Sequence, residues 1–160
     1  MWPWSLVNYP GNVQPSRFLL RAVLTGLNQI RRTFWSLTGR RGRGVLAVPL
    51  TPERRVVLVR LTYARGWHLP GGGVGRGEAA HEAALRELAE EIGMTAHGAV
   101  SRLDEVGASP VFLVRDVVYA ARRTFEIDEV AEFAPEALPP GAIRSARRGV
   151  AAAMERIRRA

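Results

Sequence analysis

The sequence predicts a mixed α/β domain, on three observations. Apolar segments rich in β-branched residues precede a helical segment rich in alanine, glutamate and leucine. Further strand-like segments follow that helix, so strands and helices alternate along the chain. The chain has 160 residues and is 47% hydrophobic, which suffices for one domain with its own core.

Residues 1–40 are predicted to form a helical extension, and residues 41–160 the main domain. In residues 17–37, apolar side chains recur at helical spacing with arginines on the other faces; they are Leu20, Leu24, Leu27, Ile30, Phe34 and Leu37. We expect this amphipathic helix to pack on the main domain or on a second subunit, which would make a homodimer. A helix lying on a membrane surface is the alternative.

The main domain is predicted to contain strands, one central helix and one basic C-terminal helix. In chain order these are a strand at 45–50, a turn at 51–54, a strand at 56–61, a glycine-rich loop at 70–77, a helix at 78–92, a strand-like run at 111–120, a short strand at 130–134, a loop at 135–140 and a helix at 142–159. Gly93 is the predicted end of the central helix.

Composition excludes several classes of chemistry. The chain has no cysteine, so disulfides, thiolate metal sites and cysteine nucleophiles are excluded. All 23 basic residues are arginine, which excludes a lysine Schiff base. We find no signal peptide and no apolar run of the length a membrane span needs, so we expect a cytoplasmic protein.

The net charge of +8 is concentrated at the two ends of the chain. We interpret these arginines as a solvated face that favours solubility. Nucleic acid and an anionic membrane surface are the alternative partners, but no base-reading motif is present.

The stretch from Pro70 to Met94 carries the chemistry. Glu87, Glu90 and Glu91 fall on one narrow face of the central helix, and Ala84, Leu88 and Ile92 form a separate apolar stripe. Like charges at this spacing destabilise a bare helix, so we expect a counter-charge, either Arg86 or a divalent cation.

A run of glycines leads directly into this helix. Gly71, Gly72 and Gly73 let the backbone approach a ligand closely, and we assign Gly71 and Gly73 to substrate binding. The loop is not a P-loop, because no Gly-Lys-Ser/Thr follows it.

The joint spacing of loop and helix resembles the Nudix hydrolase family. Gly72 is followed after five residues by Glu78, and after seven more by Arg86-Glu87-Leu88-Ala89-Glu90-Glu91-Ile92-Gly93-Met94, which matches every fixed position of the family box. The resemblance covers roughly residues 44–138. It implies an α/β/α sandwich with a mixed sheet, and hydrolysis of a phosphoanhydride bond in a nucleoside diphosphate linked to another group.

The resemblance also implies roles for individual residues. Glu87, Glu90 and Glu91, with the carbonyl of Gly72, would hold Mg²⁺ or Mn²⁺, and Arg86 would orient the carboxylates. Glu78 would support the junction between loop and helix.

Candidates for the general base are a glutamate of the box, such as Glu87, or a later acid. The later acids are Glu126, Asp128, Glu129, Glu132 and Glu136, of which we select Glu129 and Glu132. Arg60 is a candidate contact for a substrate phosphate. Two other functions remain open: a catalytically inactive Nudix-fold module that binds a nucleotide or partner, and a protein that docks to membrane or RNA through its basic helix.

Overall fold

The computed structural model describes residues 44–106, 109–121 and 124–160. The predicted helix over residues 17–37 lies outside these ranges, and its packing stays a prediction. No helix in the described ranges is both long and apolar enough to cross a membrane. The cytoplasmic location stays a prediction.

The described residues form nine strands and two helices. In chain order these are β1 Gly44–Pro49, β2 Val56–Leu61, β3 Trp67–His68, β4 Gly71–Gly73, α1 Ala80–Glu91, β5 Met94–Ala96, β6 Val100–Val106, β7 Ser109–Val114, β8 Val118–Tyr119, β9 Ile127–Phe133 and α2 Arg144–Arg158. They are arranged as a four-stranded sheet in the order β4-β1-β7-β6, a three-stranded sheet in the order β3-β2-β9, and the pair β5-β8.

The larger sheet is mixed, because β1 runs parallel to β7 and antiparallel to β4. The smaller sheet is antiparallel, with β2 between β3 and β9. An isolated bridge between Leu50 and Val56 joins the ends of β1 and β2, so the two sheets are adjacent at this corner.

Both faces of the sheets are buried, each under one helix. Successive side chains of a strand point to opposite faces, so β2 places Val57 and Val59 in one core and Val56 and Leu58 in the other. The first core receives the apolar stripe of α1, which is Ala83, Ala84, Leu88 and Ile92. The second core receives Ala146, Val150 and Ala153 of α2. The predicted α/β/α sandwich with a mixed sheet is therefore confirmed.

Several predicted elements differ in their bounds from the structure, three of them for reasons that the local geometry shows. The first part of the glycine-rich loop is a strand, β4, because Gly71, Gly72 and Gly73 pair with β1. The strand-like run at 111–120 is divided into β7 and β8, with Asp116 between them at a φ of 53°. Helix α1 begins at Ala80 rather than Glu78, because the Glu78 carboxylate accepts a hydrogen bond from the Gly75 N–H and closes a turn there.

Candidate functional site

Helix α1 is placed by its apolar stripe, and this orients its acidic residues toward β4. Its first turn is stabilised by Glu82, whose carboxylate accepts a hydrogen bond from the Ala79 N–H at 3.2 Å. It ends at Gly93, which has a φ of 70° that favours glycine. Between these ends, Glu87 and Glu91 are buried, whereas the side chain of Glu90 is 40% exposed.

Glu91 is a buried carboxylate with an incomplete set of partners. Its Oε2 accepts a hydrogen bond from the Gly71 N–H at 3.0 Å, and its Oε1 is buried without a hydrogen-bond partner. Burial raises the pKa of Glu91 well above the ordinary value, and the negative charge of Glu87 raises it further, against the opposing effect of the Gly71 N–H. Without a cation, this carboxyl group favours its protonated form.

Glu87 lies directly over the backbone of Gly72. A Cβ atom at Gly72 would collide with the Glu87 carboxylate, so no residue other than glycine fits here without moving that side chain. Glu87 is 3% exposed. Because of this close approach, the Glu87 carboxylate lies directly beside the Gly72 backbone of β4.

Arg86 links the acidic face to the strand. Its Nη1 donates to Glu87 Oε1 at 2.7 Å and its Nη2 donates to the Gly73 carbonyl at 2.9 Å. Its Nε donates to Glu78 Oε1 at 2.8 Å, while Glu90 Oε2 lies 3.4 Å from Nη1. The hydrogen bond to Glu78 is the largest cause that raises the pKa of Arg86 above its already high value.

Glu78 connects this arginine to the loop before α1. Its Oε2 accepts from the Gly75 N–H at 2.6 Å and from Arg86 Nη2 at 3.2 Å. The loop and the helix are therefore tied together by one carboxylate. The planar guanidinium is bound on several sides, so it holds the Glu87 carboxylate with little freedom.

A third buried acid, Glu126, lies at the same face. It is 8% exposed, and its negative charge contributes to the raised pKa of Glu91. Its backbone carbonyl accepts a hydrogen bond from the Thr62 N–H at 2.9 Å, just after β2. The sequence analysis named Glu126 among the later acids but selected Glu129 and Glu132, because residues 129–133 resemble a segment that often follows the penultimate strand in the family.

Arg60, Glu129 and Glu132 lie on β2 and β9 and have partners of their own. Arg60 opposes Glu129 in the register, and Nη2 of Arg60 lies 3.1 Å from Oε2 of Glu129. The Arg60 guanidinium also stacks over Trp67, with 4.9 Å between its Cζ and the ring centroid.

Glu132 accepts a hydrogen bond from the Tyr119 hydroxyl at 3.0 Å and forms an ion pair with Arg55 at 3.4 Å. Burial and the contact with Glu132 raise the pKa of Tyr119 to about 12, so this hydroxyl stays protonated at neutral pH. The roles assigned to Arg60, Glu129 and Glu132 stay predictions.

The structure thus brings together the β4 backbone, Arg86 and the buried acids Glu87, Glu91 and Glu126. Within the described ranges, no three histidine, aspartate or glutamate side chains converge on one point as metal ligands do. The charge at this face is nevertheless strongly acidic. The single positive charge of Arg86 is shared among Glu78, Glu87 and Glu90, and no arginine or histidine of the described residues forms an ion pair with Glu91.

The acidic face of α1 packs on the glycine strand β4, inside an α/β/α sandwich. This combination is the one that the resemblance of the sequence motif implies. A family model for the NUDIX domain matches residues 40–154. The chain belongs to the Nudix family, which confirms the resemblance.

The chain is also similar to individual proteins. It is 41% identical over 54 residues to a Bacillus subtilis protein named "Putative 8-oxo-dGTP diphosphatase", a match that spans 34% of this chain and 36% of that protein. A MutT NUDIX hydrolase structure from Burkholderia pseudomallei aligns with a TM-score of 0.59 at 25% identity, covering 69% of this chain and 96% of the other. An ADP-ribose pyrophosphatase from Streptococcus suis shares the fold, with a TM-score of 0.56 at 18% identity over 73% of this chain and 92% of the other.

Proposed function

We propose that this protein hydrolyses a phosphoanhydride bond in a nucleoside diphosphate linked to another group, and that it needs Mg²⁺ or Mn²⁺ to do so. The observation that carries the proposal is Glu91: a buried carboxylate with one unpartnered oxygen, surrounded by the charges of Glu87, Glu90 and Glu126. An unpaired buried polar atom costs roughly 1–3 kcal/mol, and a ligated cation would remove that cost.

The donor set fits a hard divalent cation. Such cations prefer oxygen ligands, and this face offers the carboxylates of Glu87, Glu90 and Glu91 with the carbonyl of Gly72. Glu90 is the exposed member of the set: its side chain is 40% exposed, and its Oε2 lies 3.4 Å from Nη1 of Arg86. We propose that rotation of Glu90 toward the buried pair completes the site.

A bound divalent cation supplies charge neutralisation for the phosphates and a more acidic bound water. The chain itself supplies positioning. Arg86 holds the Glu87 carboxylate at Gly72 through contacts with Glu78 and the Gly73 carbonyl. Strand β4 is fixed against β1, with the Gly71 N–H on Glu91 and the Gly73 carbonyl on Arg86. Substrate binding by Gly71 and Gly73 stays a prediction.

Arg60 is proposed to contact a phosphate of the substrate. Its side chain is 45% exposed, and its ion pair with Glu129 lies at the surface, where such pairs contribute little. A phosphate, with more charge than one carboxylate, can therefore compete for the guanidinium.

The general base is proposed to be an acid from the segment around β9. One assignment is Glu129 or Glu132, the other is Glu126, and an experiment can separate them. The resemblance favours Glu129 or Glu132, whereas burial and the electrostatic interaction with Glu91 favour Glu126. The substitutions Glu126→Gln, Glu129→Gln and Glu132→Gln form a matched set. We expect the first to lower kcat by about 10²-fold or more and the others by only a few-fold. The reverse order would assign the base to β9 itself.

A substrate panel in Mg²⁺ or Mn²⁺ tests the proposed function. It begins with 8-oxo-dGTP and ADP-ribose, which the names of the two relatives suggest, and adds sugar nucleotides, dinucleotide polyphosphates, other nucleoside triphosphates and 5′-triphosphate RNA. We expect release of a nucleoside monophosphate from at least one of them, with Glu91→Gln as the inactive control. Nucleotide binding without any hydrolysis would instead favour a non-catalytic binding module.

A further inference from the structure

We propose that a cavity beside the C-terminal helix α2 binds a phosphate group, at a site that is separate from the acidic face of α1 and does not depend on hydrolysis. The cavity has a volume of about 250 Å³. Its lining consists of Arg102 and Leu103 from β6 and of Ala152, Glu155, Arg156 and Arg159 from the end of α2. Pockets that hold a whole drug-sized ligand are usually about 300–1,000 Å³, so this cavity suits a smaller group.

The cavity has an apolar base that is held firmly. Leu103 is 7% exposed and belongs to the second core, and Ala152 packs against the same core. Residues three, four and seven positions after Ala152 share its face of the helix, which places Glu155, Arg156 and Arg159 beside this base. The charged side chains lie at the mouth of the cavity, where those of Glu155 and Arg159 are 44% and 75% exposed.

The cavity lies on the opposite side of the sheets from the proposed metal site. The acidic residues belong to α1, which covers the first core, whereas α2 covers the second core. A ligand in the cavity therefore does not occupy the acidic face, and its binding can be measured on the metal-free protein.

The charges around the cavity favour an anion. Three arginines line it against one glutamate, and that glutamate already accepts hydrogen bonds from Arg158 and Arg159. Among the residues that the structure describes, Arg156 has neither an ion pair nor a hydrogen bond from its side chain. The guanidinium of this residue is therefore available to a ligand.

A phosphate group matches this arrangement in charge and geometry. A guanidinium binds two phosphate oxygens through parallel hydrogen bonds. The ion pair between Glu155 and Arg159 is exposed, and such pairs contribute little, so a phosphate dianion at Arg156 can also compete for Arg159. The phosphate can come from free inorganic phosphate or from the phosphate end of a nucleotide.

The experiment is a titration of the isotope-labelled, metal-free protein with inorganic phosphate, followed by heteronuclear NMR. The samples contain EDTA, so that phosphate cannot bind through a metal at α1, and the ionic strength is constant. We expect saturable shifts that are largest at the backbone amides of Leu103 and Ala152, because these residues line the cavity from its two sides.

Four substitutions separate this cavity from the general charge of the surface. Arg156→Gln should raise the Kd for phosphate by about tenfold, as expected for the loss of one charged hydrogen-bond donor. Arg148→Gln is the matched control, because it makes the same charge change at an exposed residue of α2 that does not line the cavity; it should change the Kd by less than about twofold. Glu155→Gln should lower the Kd, since it removes the competing carboxylate. Ala152→Leu should abolish binding, since it fills the cavity without a change in charge.

A parallel titration with AMP distinguishes the two sources of phosphate. Equal or weaker affinity for AMP at the same amides would identify free phosphate as the ligand, and tighter binding would identify the phosphate end of a nucleotide. Thermal unfolding shows whether each variant is folded.

The proposal makes a prediction that a purely structural role for these arginines does not make. Basic side chains stabilise the C-terminal end of a helix without any ligand. If they do only that, phosphate will not shift the amides of Leu103 and Ala152, and this result would overturn the proposed site. An equal loss of affinity in Arg156→Gln and Arg148→Gln would also overturn it, because net charge would then explain the binding. Neither result bears on whether the protein hydrolyses a nucleotide.

Discussion

Replacing Glu91 with glutamine has an effect on stability that can be worked out from the structure. The substitution keeps the size of the side chain, and its amide oxygen can still accept the hydrogen bond from the Gly71 N–H. It removes a carboxylate that is 5% exposed, has one unpartnered oxygen and lies among like charges. In the metal-free protein we therefore expect Glu91→Gln to remove a destabilising group.

The sign of the pH dependence follows from the raised pKa of Glu91. Below the ordinary glutamate pKa, the folded and unfolded chains both hold the proton, and the group imposes no penalty. As the pH rises above that value the unfolded chain releases the proton while the folded chain retains it, so stability falls until the raised folded pKa is passed. Between about pH 5 and pH 8, the metal-free wild type should lose stability that the variant keeps.

The expected difference in favour of the variant grows by up to about 1.4 kcal/mol for each pH unit above the ordinary glutamate pKa, until the raised folded pKa is reached. For a chain of this size that corresponds to about 2–4 °C in Tm for each kcal/mol. The assay is thermal unfolding followed by circular dichroism in EDTA, at both pH values. Glu90→Gln is the matched control, because it removes a carboxylate from the same helix face at a side chain that is 40% exposed, and its effect on stability should be small.

Glu91→Gln should raise the stability of the metal-free protein but lower its catalytic activity. With Mg²⁺ present, Glu91→Gln should lower turnover on the order of 10²-fold or more, because a proposed ligand is lost. Equal melting temperatures for wild type and variant in EDTA at the higher pH would refute the account of Glu91 as an unbalanced buried carboxylate. Turnover within a few-fold of wild type would refute its assignment as a ligand.

Three further substitutions test the loop, the arginine and the N-terminal extension. Gly72→Val places a branched side chain against the Glu87 carboxylate and should lower turnover even where a folded protein is recovered; normal steady-state kinetics would contradict the close approach. Arg86→Lys keeps the charge but cannot contact Glu78, Glu87 and the Gly73 carbonyl together, so kcat should fall by about tenfold or more while KM changes less. Leu27→Asp should lower the melting temperature or dissociate a dimer if the predicted helix is packed; an unchanged melt and mass with lost binding to anionic vesicles would indicate a membrane-surface helix.

The part of the site that lies on one helix could be predicted from the sequence, because helix geometry determines which residues share a face. The spacing of Glu87, Glu90 and Glu91 gives their common face without further information. The spacing alone does not predict which of these residues is buried, because packing against β4 buries Glu91 and leaves Glu90 exposed. The counter-charge expected for these acids is present as Arg86, and its contact with Gly73 required knowledge of the β4 position.

The rest of the site could not be predicted, because it depends on contacts between residues that are distant in sequence. Glu126 follows the central helix by several strands, and the hydrogen bond from the Thr62 N–H to its carbonyl holds its backbone next to the end of β2. Strand β4 has a sequence of three glycines, which have low strand propensity, and it forms through pairing with β1. Strand β2 illustrates the opposite case: its apolar, β-branched residues predicted its bounds, Val56–Leu61, as observed.

The central claim is that hydrolysis depends on a divalent cation held at the carboxylate face of α1. The most direct test is a titration of the metal-free protein with Mn²⁺, in which bound Mn²⁺ is followed by electron paramagnetic resonance and hydrolysis of the best substrate is measured in the same samples. We expect no turnover in EDTA and a rate that rises in proportion to bound Mn²⁺. Binding should be weaker in Glu87→Gln and Glu91→Gln than in the control Glu53→Gln, since Glu53 is an exposed residue of the turn between β1 and β2. Full turnover in EDTA, or Mn²⁺ binding that neither buried glutamate affects, would contradict the claim.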